Sequence, residues 1–247
     1  MADFDGNTRV DFSDYAVLAE HWLQSDNPFF WCRGADLNDD GKVDFIDLDE
    51  FAGNWLAESI GGLRENSYLI IDDFESYNDL DPSDPASNRI FNTWLDGYDN
   101  PATNGAVVGY SHPPFAERNI IHGGSQSMPY FYSTFFKLSK AERAVNPPQV
   151  WTTKGAGMLS LWFYGDASNY PALMSIVLNG GPEVYHENVN ALRTDTWTQW
   201  TIDIQAFTGV DLTNIHSIAI CFGDRDNLQA GGQGKMFFDD IRVYHPK

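Results

Sequence analysis

The sequence is poor in cysteine, which argues against a fold built on disulfides. Only two cysteines, Cys32 and Cys221, occur among 247 residues, and they fall in segments that we assign below to different domains. A disulfide scaffold is therefore not indicated. Cys221 lies in the apolar run 218–222 and is expected to be a buried, inert side chain. Cys32 is left as a single thiol.

Basic residues are also scarce. Fifteen lysines and arginines stand against 35 aspartates and glutamates, so the net charge is −20 and the isoelectric point is about 4.3. Nucleic-acid binding needs a basic face, and adhesion to anionic lipid needs basic residues near the membrane. The charge balance therefore argues against nucleic-acid binding and against adhesion to anionic lipid. The composition favours a protein that holds cations or meets neutral or cationic ligands.

The sequence also lacks a membrane segment and a secretory signal. No run is long and apolar enough to cross a bilayer, and Met1-Ala2 is followed at once by Asp3. Because Asp3 is the first position of a predicted binding loop (below), we expect the sequence to be a fragment of a longer chain. The missing signal then says nothing about location.

Motifs of hydrolytic enzymes are missing too. The Glu-x-Asp-x-x-Glu run of sandwich-type glycosidases does not occur after residue 67, and the segment 123–127 fails the Gly-x-Ser-x-Gly pattern at its last position. The cluster Tyr185–Glu187 contains a histidine but has no recognisable catalytic frame. The sequence therefore predicts that the protein is not an enzyme.

The most informative stretch that is present is the acidic loop 36–47. Oxygen-bearing side chains fall at its positions 1, 3, 5, 9 and 12, and a glycine falls at position 6. This is the spacing with which a tight loop surrounds Ca²⁺. The predicted ligands are Asp36, Asn38, Asp40, the carbonyl of Lys42, and Asp47. An ordinary EF-hand loop carries glutamate in the place of Asp47.

The same pattern occurs 33 residues earlier in the chain, so the segment is duplicated. In each copy an acidic loop precedes a predicted helix that ends in Trp-Leu. The first loop has Thr8 where the second has Gly41, so it must bend differently or carry strain. The equivalent predicted ligands are Asp3, Asp5, Asn7, the carbonyl of Arg9, and Asp14.

On these residues, the segment 1–57 resembles a dockerin domain, a duplicated loop–helix unit with aspartate at loop position 12. The resemblance implies two bound Ca²⁺ ions and the tethering of a secreted protein to a cohesin domain. Phe12-Ser13 and Phe45-Ile46 stand where many dockerins have Ser/Thr pairs. A partner surface would be more apolar, and the usual cohesin need not fit. The alternative is that this unit packs only on its neighbour domain.

A polar, glycine-bearing linker is predicted at 58–67, and the chain changes character over 68–247. Short apolar or alternating runs recur there between Gly, Pro and Asn turns, with no long helical pattern. This favours an all-β jelly-roll sandwich. The predicted fold class is therefore mixed: a small all-α, EF-hand-like duplicated domain followed by an all-β sandwich.

The two ends of the second domain share an acidic pattern. The first strand leads into Asp72-Asp73-Phe74-Glu75, and the last carries Asp239-Asp240-Ile241. This resembles jelly-roll carbohydrate-binding modules. The resemblance implies that the first and last strands lie side by side and share a structural Ca²⁺ held by Glu75 and Asp239. The alternative is that the paired aspartates only protect a strand edge.

Aromatic residues make up 15% of the chain, which suits carbohydrate recognition. Flat rings stack on the apolar faces of sugars, while carboxylates and amides bind hydroxyls. Trp94, Asp96 and Tyr98 lie together among turn residues, and Trp151 follows two prolines. These four residues are predicted to contact sugar.

Strand periodicity separates other aromatic residues. The spacing of Trp197 and Trp200 puts their indoles on opposite faces of a strand, one in the core and one exposed. Trp162 and Tyr164 share one face, against Leu161 and Phe163, and either pair could be the core pair.

Together these features predict a non-catalytic module that binds polysaccharide or oligosaccharide, joined to a calcium-dependent, dockerin-like tethering module. The protein is expected to be an extracellular monomer from a polysaccharide-degrading system. One alternative is a structural or cell-surface protein whose domains are spacers or protein-binding units. Another is a jelly-roll polysaccharide lyase or hydrolase.

Overall fold

The structure is a computed structural model that describes residues 4, 10–23, 35, 37, 42–53, 55, 68–152 and 157–244. The chain divides into two compact units, Met1–Tyr68 with Tyr244–Lys247, and Leu69–Val243. The predicted linker 58–67 and Cys32 lie outside the described residues. Within those residues, no helix has the length and apolar character that a membrane span requires.

The first unit contains two helices, α1 (Phe12–Glu20) and α2 (Phe45–Ala52), which begin 33 residues apart. Each starts at an aspartate N-cap, Asp11 or Asp44, that forms a capping box with the aspartate three residues later. Such a box satisfies backbone N–H groups that a helix start leaves unpaired. The two copies of the sequence repeat therefore have equivalent local structure at these positions.

Aromatic contacts cross between the two copies in a reciprocal way. The Phe12 ring packs edge-on against Trp55 at 4.9 Å, and Trp22 packs edge-on against Phe45 at 5.2 Å. Each copy thus supplies one phenylalanine from the start of its helix and one tryptophan from just beyond the helix end. The buried centre between them is formed by Val10, Leu18, Ala35, Val43 and Phe51.

The second unit is a sandwich of two sheets with antiparallel strand pairs. The six-stranded sheet has the order β3-β4-β11-β6-β9, with β1 also paired to β11. Its strands are β1 (Tyr68–Asp72), β3 (Val107–Val108), β4 (Met128–Ser133), β6 (Met158–Tyr164), β9 (Thr198–Asp203) and β11 (Gln233–Tyr244). The predicted β-sandwich is confirmed, and its first and last strands are neighbours.

The five-stranded sheet has the order β2-β5-β10-β7-β8. Its strands are β2 (Trp94–Leu95), β5 (Ser139–Gln149), β7 (Met174–Leu178), β8 (Glu183–Tyr185) and β10 (Ile215–Phe222). Among the described residues of this unit, helical structure is limited to α3 (Ile90–Thr93) and two 3₁₀ turns, Ala191–Arg193 and Ile204–Ala206. Because β2 and β3 stand at the end of the strand order in their respective sheets, each is an edge strand.

Alternation along the strands decides which aromatics enter the core. In β6, Leu161 and Phe163 are fully buried in the core, while Trp162 and Tyr164 lie on the outer face and remain half-buried. Trp200 points inward from β9, and Trp197, just before that strand, stays half-buried. The prediction that one of the two indoles belongs to the core is confirmed. Cys221 is buried as expected, and burial raises the pKa of its thiol to about 12.

Candidate carbohydrate-binding site

A groove of about 730 Å³ lies where edge strand β2 and edge strand β3 approach each other. Its volume is within the range of small-molecule sites. Phe91, Leu95, Val107 and Phe115 give it an apolar lining, and polar side chains from Asn92, Asp96 and Asp99 border it. Apolar surface beside hydrogen-bonding groups is the combination that a sugar ring requires.

Asp96 holds the turn at one wall of this groove. One carboxylate oxygen, Oδ1, accepts from the backbone N–H of Tyr98 at 2.9 Å, and the other accepts from the N–H of Val108 at 2.6 Å. A side chain on Gly97 would place a Cβ 2.3 Å from the carbonyl oxygen of Asn104, so this turn requires glycine. Asp96 therefore positions the segment that carries Tyr98.

Tyr98 is the most exposed aromatic side chain of the groove. It retains 73% of its surface, and neighbouring Leu95 retains 63%. Phe91 and Phe115 pack edge-on at 5.1 Å in the same groove, and the Arg89 guanidinium lies 4.7 Å from the centre of the Phe115 ring. The structure thus brings the predicted residues Asp96 and Tyr98 together on one groove.

The groove also contains residues that the sequence did not indicate. Phe91 comes from α3, and Tyr110 and Phe115 come from the segment between β3 and β4. The Tyr110 hydroxyl donates to the Glu117 carboxylate. Burial and this neighbouring carboxylate raise the pKa of Tyr110 well above its ordinary value. No local pattern connects these segments with Tyr98, because the fold alone brings them together.

The predicted sugar contact of Trp94 is wrong. Trp94 is 0% exposed, since β2 turns it inward and turns Leu95 outward. Its indole Nε1 donates to the buried carboxylate of Asp72 at 2.9 Å. Asp72 also accepts from the Tyr77 hydroxyl at 2.5 Å and pairs with Arg143 Nε at 3.0 Å. Trp94 is thus part of a buried polar network.

The predicted sugar contact of Trp151 is wrong for a similar reason. Its side chain is 0% exposed, and Nε1 donates to Gln149 Oε1 at 3.2 Å. Strand β5 continues through Pro147 and Pro148 to Gln149, so only Val150 separates Trp151 from the end of a strand. Its backbone N–H donates to the carbonyl of Leu212 at 2.9 Å, which fixes it against the core.

Glu75 and Asp239, the predicted ligands of a calcium ion in the sandwich, both bind the loop 122–126. Glu75 accepts from Ser125 N at 2.9 Å and from Ser125 Oγ at 2.5 Å. Asp239 accepts from His122 N at 2.9 Å. Burial raises the pKa of Asp239 to about 6, although backbone N–H groups oppose this. The two ends of the domain therefore meet at one loop.

In this arrangement the two carboxylates accept hydrogen bonds from N–H and O–H donors of the loop. Ca²⁺ takes six to eight oxygen ligands. Across the described parts of the chain, no group of three or more His, Cys, Asp or Glu side chains is placed to hold a metal ion. The third calcium ion remains a prediction.

Most ligands predicted in the first unit lie outside the described residues; these are Asp3, Asp5, Asn7, Arg9, Asp36, Asn38 and Asp40. The twelfth-position aspartates are described and fully buried. Asp14 Oδ1 accepts from Phe4 N, and Asp47 Oδ1 accepts from Leu37 N, both at 2.6 Å. Each aspartate therefore ties the end of its loop to the second loop position. Lys42 is exposed, and its carbonyl stays a predicted ligand.

Comparisons with known proteins find similarity only at the level of solved structures. No family model and no curated protein matches the chain. A family 11 carbohydrate-binding module from Clostridium thermocellum, solved with a β-1,3-1,4-mixed-linked tetrasaccharide, is 15% identical over 73% of this chain and 96% of its own, with a TM-score of 0.43.

Two further structures illustrate the range of the similarity. A family 30 carbohydrate-binding module of a cellulosomal cellulase of Clostridium thermocellum is 12% identical over 58% of this chain and 94% of its own, with a TM-score of 0.40. An exo-β-agarase is 11% identical over 73% of this chain and 25% of its own, with a TM-score of 0.43. The fold assignment rests on the sheet topology described above.

Proposed function

We propose that the sandwich binds a neutral polysaccharide without cleaving it, through the groove beside Tyr98. The observation that carries this proposal is an aromatic ring, 73% exposed, on a groove with apolar and polar walls. Such a ring would stack on the C–H face of a sugar. The exposed Asp99 and Asn92 lie on the same groove and would bind hydroxyl groups.

The chemistry of Asp96 supports a binding role over a catalytic one. General acid–base cleavage of a glycosidic bond needs two carboxyl groups free to exchange protons. Both oxygens of Asp96 accept backbone N–H groups. This residue therefore acts by holding the turn that carries Tyr98.

Affinity electrophoresis of the full chain in gels containing β-1,3-1,4-glucan, xylan, mannan or agarose tests the proposal. We expect at least one polymer to retard the protein. Tyr98→Ala should weaken that retention by about 5- to 30-fold, as loss of roughly 1–2 kcal/mol of contact implies. Tyr170→Ala is the matched control, because Tyr170 is half exposed and does not line this groove.

Three results would contradict the proposal. Retardation by none of the polymers would favour the spacer hypothesis. Release of reducing ends or of unsaturated products would favour a hydrolase or a lyase. An equal effect of Tyr98→Ala and Tyr170→Ala would remove the groove from consideration as the binding site.

We also propose that the helical unit is a calcium-dependent tethering module with a cohesin-like protein partner. The equivalent caps of α1 and α2 and the two buried twelfth-position aspartates support this proposal. Phe12 and Phe45 are 76% and 74% exposed. A partner would therefore meet an apolar surface. The same exposed rings favour the alternative of a general protein-binding unit.

Chelation tests the calcium part of this proposal. Because a small core leaves much of the folding energy to bound ions, EDTA should lower the transition of the helical unit, followed by circular dichroism at 222 nm. Added Ca²⁺ should restore it. An identical transition in EDTA and in Ca²⁺ would refute calcium dependence. In this proposal the protein is a monomer that works outside the cell, in a polysaccharide-degrading system.

A further inference from the structure

The outer face of the six-stranded sheet carries aromatic side chains that the Tyr98 groove does not use. The core side of β6 is already occupied by Leu161 and Phe163. Trp162 and Tyr164 therefore project from the opposite face, where each keeps part of its surface exposed. Half-exposed aromatic rings on a sheet face are candidates for a binding surface, because they leave apolar area in water.

These rings form a connected series, which we call the outer aromatic row. His122 is stacked on Trp162 at 3.9 Å with an interplanar angle of 19°. Trp197 lies 5.7 Å from His122 and 5.8 Å from Tyr164, in edge contacts. Tyr164 lies 6.1 Å from Phe237 of β11, whose side chain is buried. The row therefore runs across at least two strands and is held in place by its own contacts.

A polar groove continues the row at the β11 end. Lys235 Nζ lies 4.9 Å from the centre of the Phe237 ring. Lys235 also borders a groove of about 500 Å³, which includes Phe131, Asp166, Ser168 and Gln233 among its lining. Aromatic surface is thus followed by hydroxyl, amide, ammonium and carboxylate groups on the same side of the sheet.

The charge of the protein and of this surface indicates whether an acidic or a neutral polysaccharide would bind there. The chain has a net charge of −20, so an acidic polysaccharide would be repelled at long range. The polar groove contains one cation, Lys235, and one carboxylate, Asp166, which nearly balance each other. A neutral ligand with apolar faces and many hydroxyl groups is complementary to this surface.

We propose that the outer aromatic row and the polar groove form a second binding surface for a neutral polysaccharide chain. The ligand class rests on the proposed function, but the surface does not depend on the Tyr98 groove. Two surfaces on one domain would let a single polymer be held at two points. Retention would then exceed that of either site, provided the chain can reach both.

The experiment compares the full-length wild type with Tyr98→Ala, Trp197→Ala and the double variant in affinity gels of the four polymers named above. Each single variant should lose about 5- to 30-fold in retention, as loss of roughly 1–2 kcal/mol implies. The double variant should lose far more. Isothermal titration with a hexasaccharide of the retained polymer should give two sites in the wild type, and in each single variant one of the two sites should be weaker by that factor.

A matched aspartate pair separates binding from folding. Asp166 accepts from Ser168 N at 2.8 Å and from Ser168 Oγ at 2.6 Å. Asp211 forms the same turn with Thr213, at 3.0 and 2.6 Å, but it does not border the polar groove. Asp166→Ala and Asp211→Ala should therefore have similar melting temperatures, while only Asp166→Ala weakens retention.

The outcomes separate the two proposals. If titration gives one site per chain, and Trp197→Ala and Asp166→Ala bind the polymer as the wild type does, the second surface is overturned and the proposal for the Tyr98 groove is retained. Loss of binding in Trp197→Ala and Asp166→Ala, with Tyr98→Ala unchanged, would support the outer row and overturn the groove. No retention by any polymer would overturn both.

Discussion

Replacing Trp94 by phenylalanine tests the buried network around Asp72. The Trp94 indole donates to Asp72 Oδ2 at 2.9 Å, and the two residues are 0% and 4% exposed. Phenylalanine keeps an aromatic ring at this position but has no N–H group. Asp72 would retain Tyr77 and Arg143 as partners and would lose one of its donors.

The magnitude follows from the two changes that the substitution makes. Loss of a hydrogen bond to a buried charged group costs about 1.5–3 kcal/mol. The smaller ring adds roughly 1 kcal/mol for lost packing. The free energy of unfolding should therefore fall by about 2.5–4 kcal/mol. A domain of this size loses about 2–4 °C in Tm per kcal/mol, so Tm should fall by roughly 5–15 °C.

Differential scanning calorimetry of the full chain, following the transition of the sandwich, provides the measurement. Tyr98→Phe serves as control and should leave Tm nearly unchanged, because Tyr98 is exposed. A double-mutant cycle with Asp72→Asn should give a coupling energy above about 0.5 kcal/mol. A Trp94→Phe variant with unchanged Tm but weakened polysaccharide retention would refute this reasoning and restore Trp94 as a contact residue.

Two further predictions concern backbone packing and pH. Gly124→Ala should lose about 2–4 kcal/mol in chemical denaturation, because its φ is +64° and a Cβ would lie 2.4 Å from Glu75, displacing that carboxylate from its bonds to the loop. Gly180→Ala, with φ +68° and open space around it, should lose only about 1 kcal/mol. Equal losses in the two variants would contradict the close contact between Gly124 and Glu75. Burial lowers the pKa of His186, so the unfolded state binds its proton more readily and stability should fall as pH drops through about 6.5. His186→Gln should flatten the slope of unfolding free energy between pH 7.5 and 5.5, and an unchanged slope would argue against a lowered pKa of this half-buried imidazole.

The sandwich could be predicted from the sequence because its signals are local. Short apolar runs between turn residues indicate strands, and the period of two predicted that one of Trp197 and Trp200 belongs to the core. Strand β2 is only two residues long, which is too short for alternation to tell which side is buried. The partners that fix Trp94 lie 22 residues away at Asp72 and further along at Arg143. Its burial is therefore a property of the fold.

In the helical unit, too, local features could be predicted from the sequence and contacts between distant residues could not. The 33-residue shift predicted two equivalent helices, and their aspartate caps are local features that the sequence contains. The reciprocal contacts Phe12–Trp55 and Trp22–Phe45 join different copies, so no local pattern indicates them. In the Tyr98 groove, likewise, the predicted turn supplies one wall and distant segments supply the other.

The pairing of β1 with β11 has a consequence for synthesis. The rings of Tyr68 and Tyr244, at the outer ends of these strands, lie 5.5 Å apart. Everything from residue 73 to residue 232 separates the two strands along the chain. During translation β1 is synthesised long before β11 and cannot pair with it until then. The six-stranded sheet is therefore complete only after nearly the whole domain has left the ribosome. Such distant pairing folds slowly and leaves a strand edge open to other nascent chains meanwhile. We therefore expect the yield of folded domain in a cell to rise when this strand edge is shielded during synthesis.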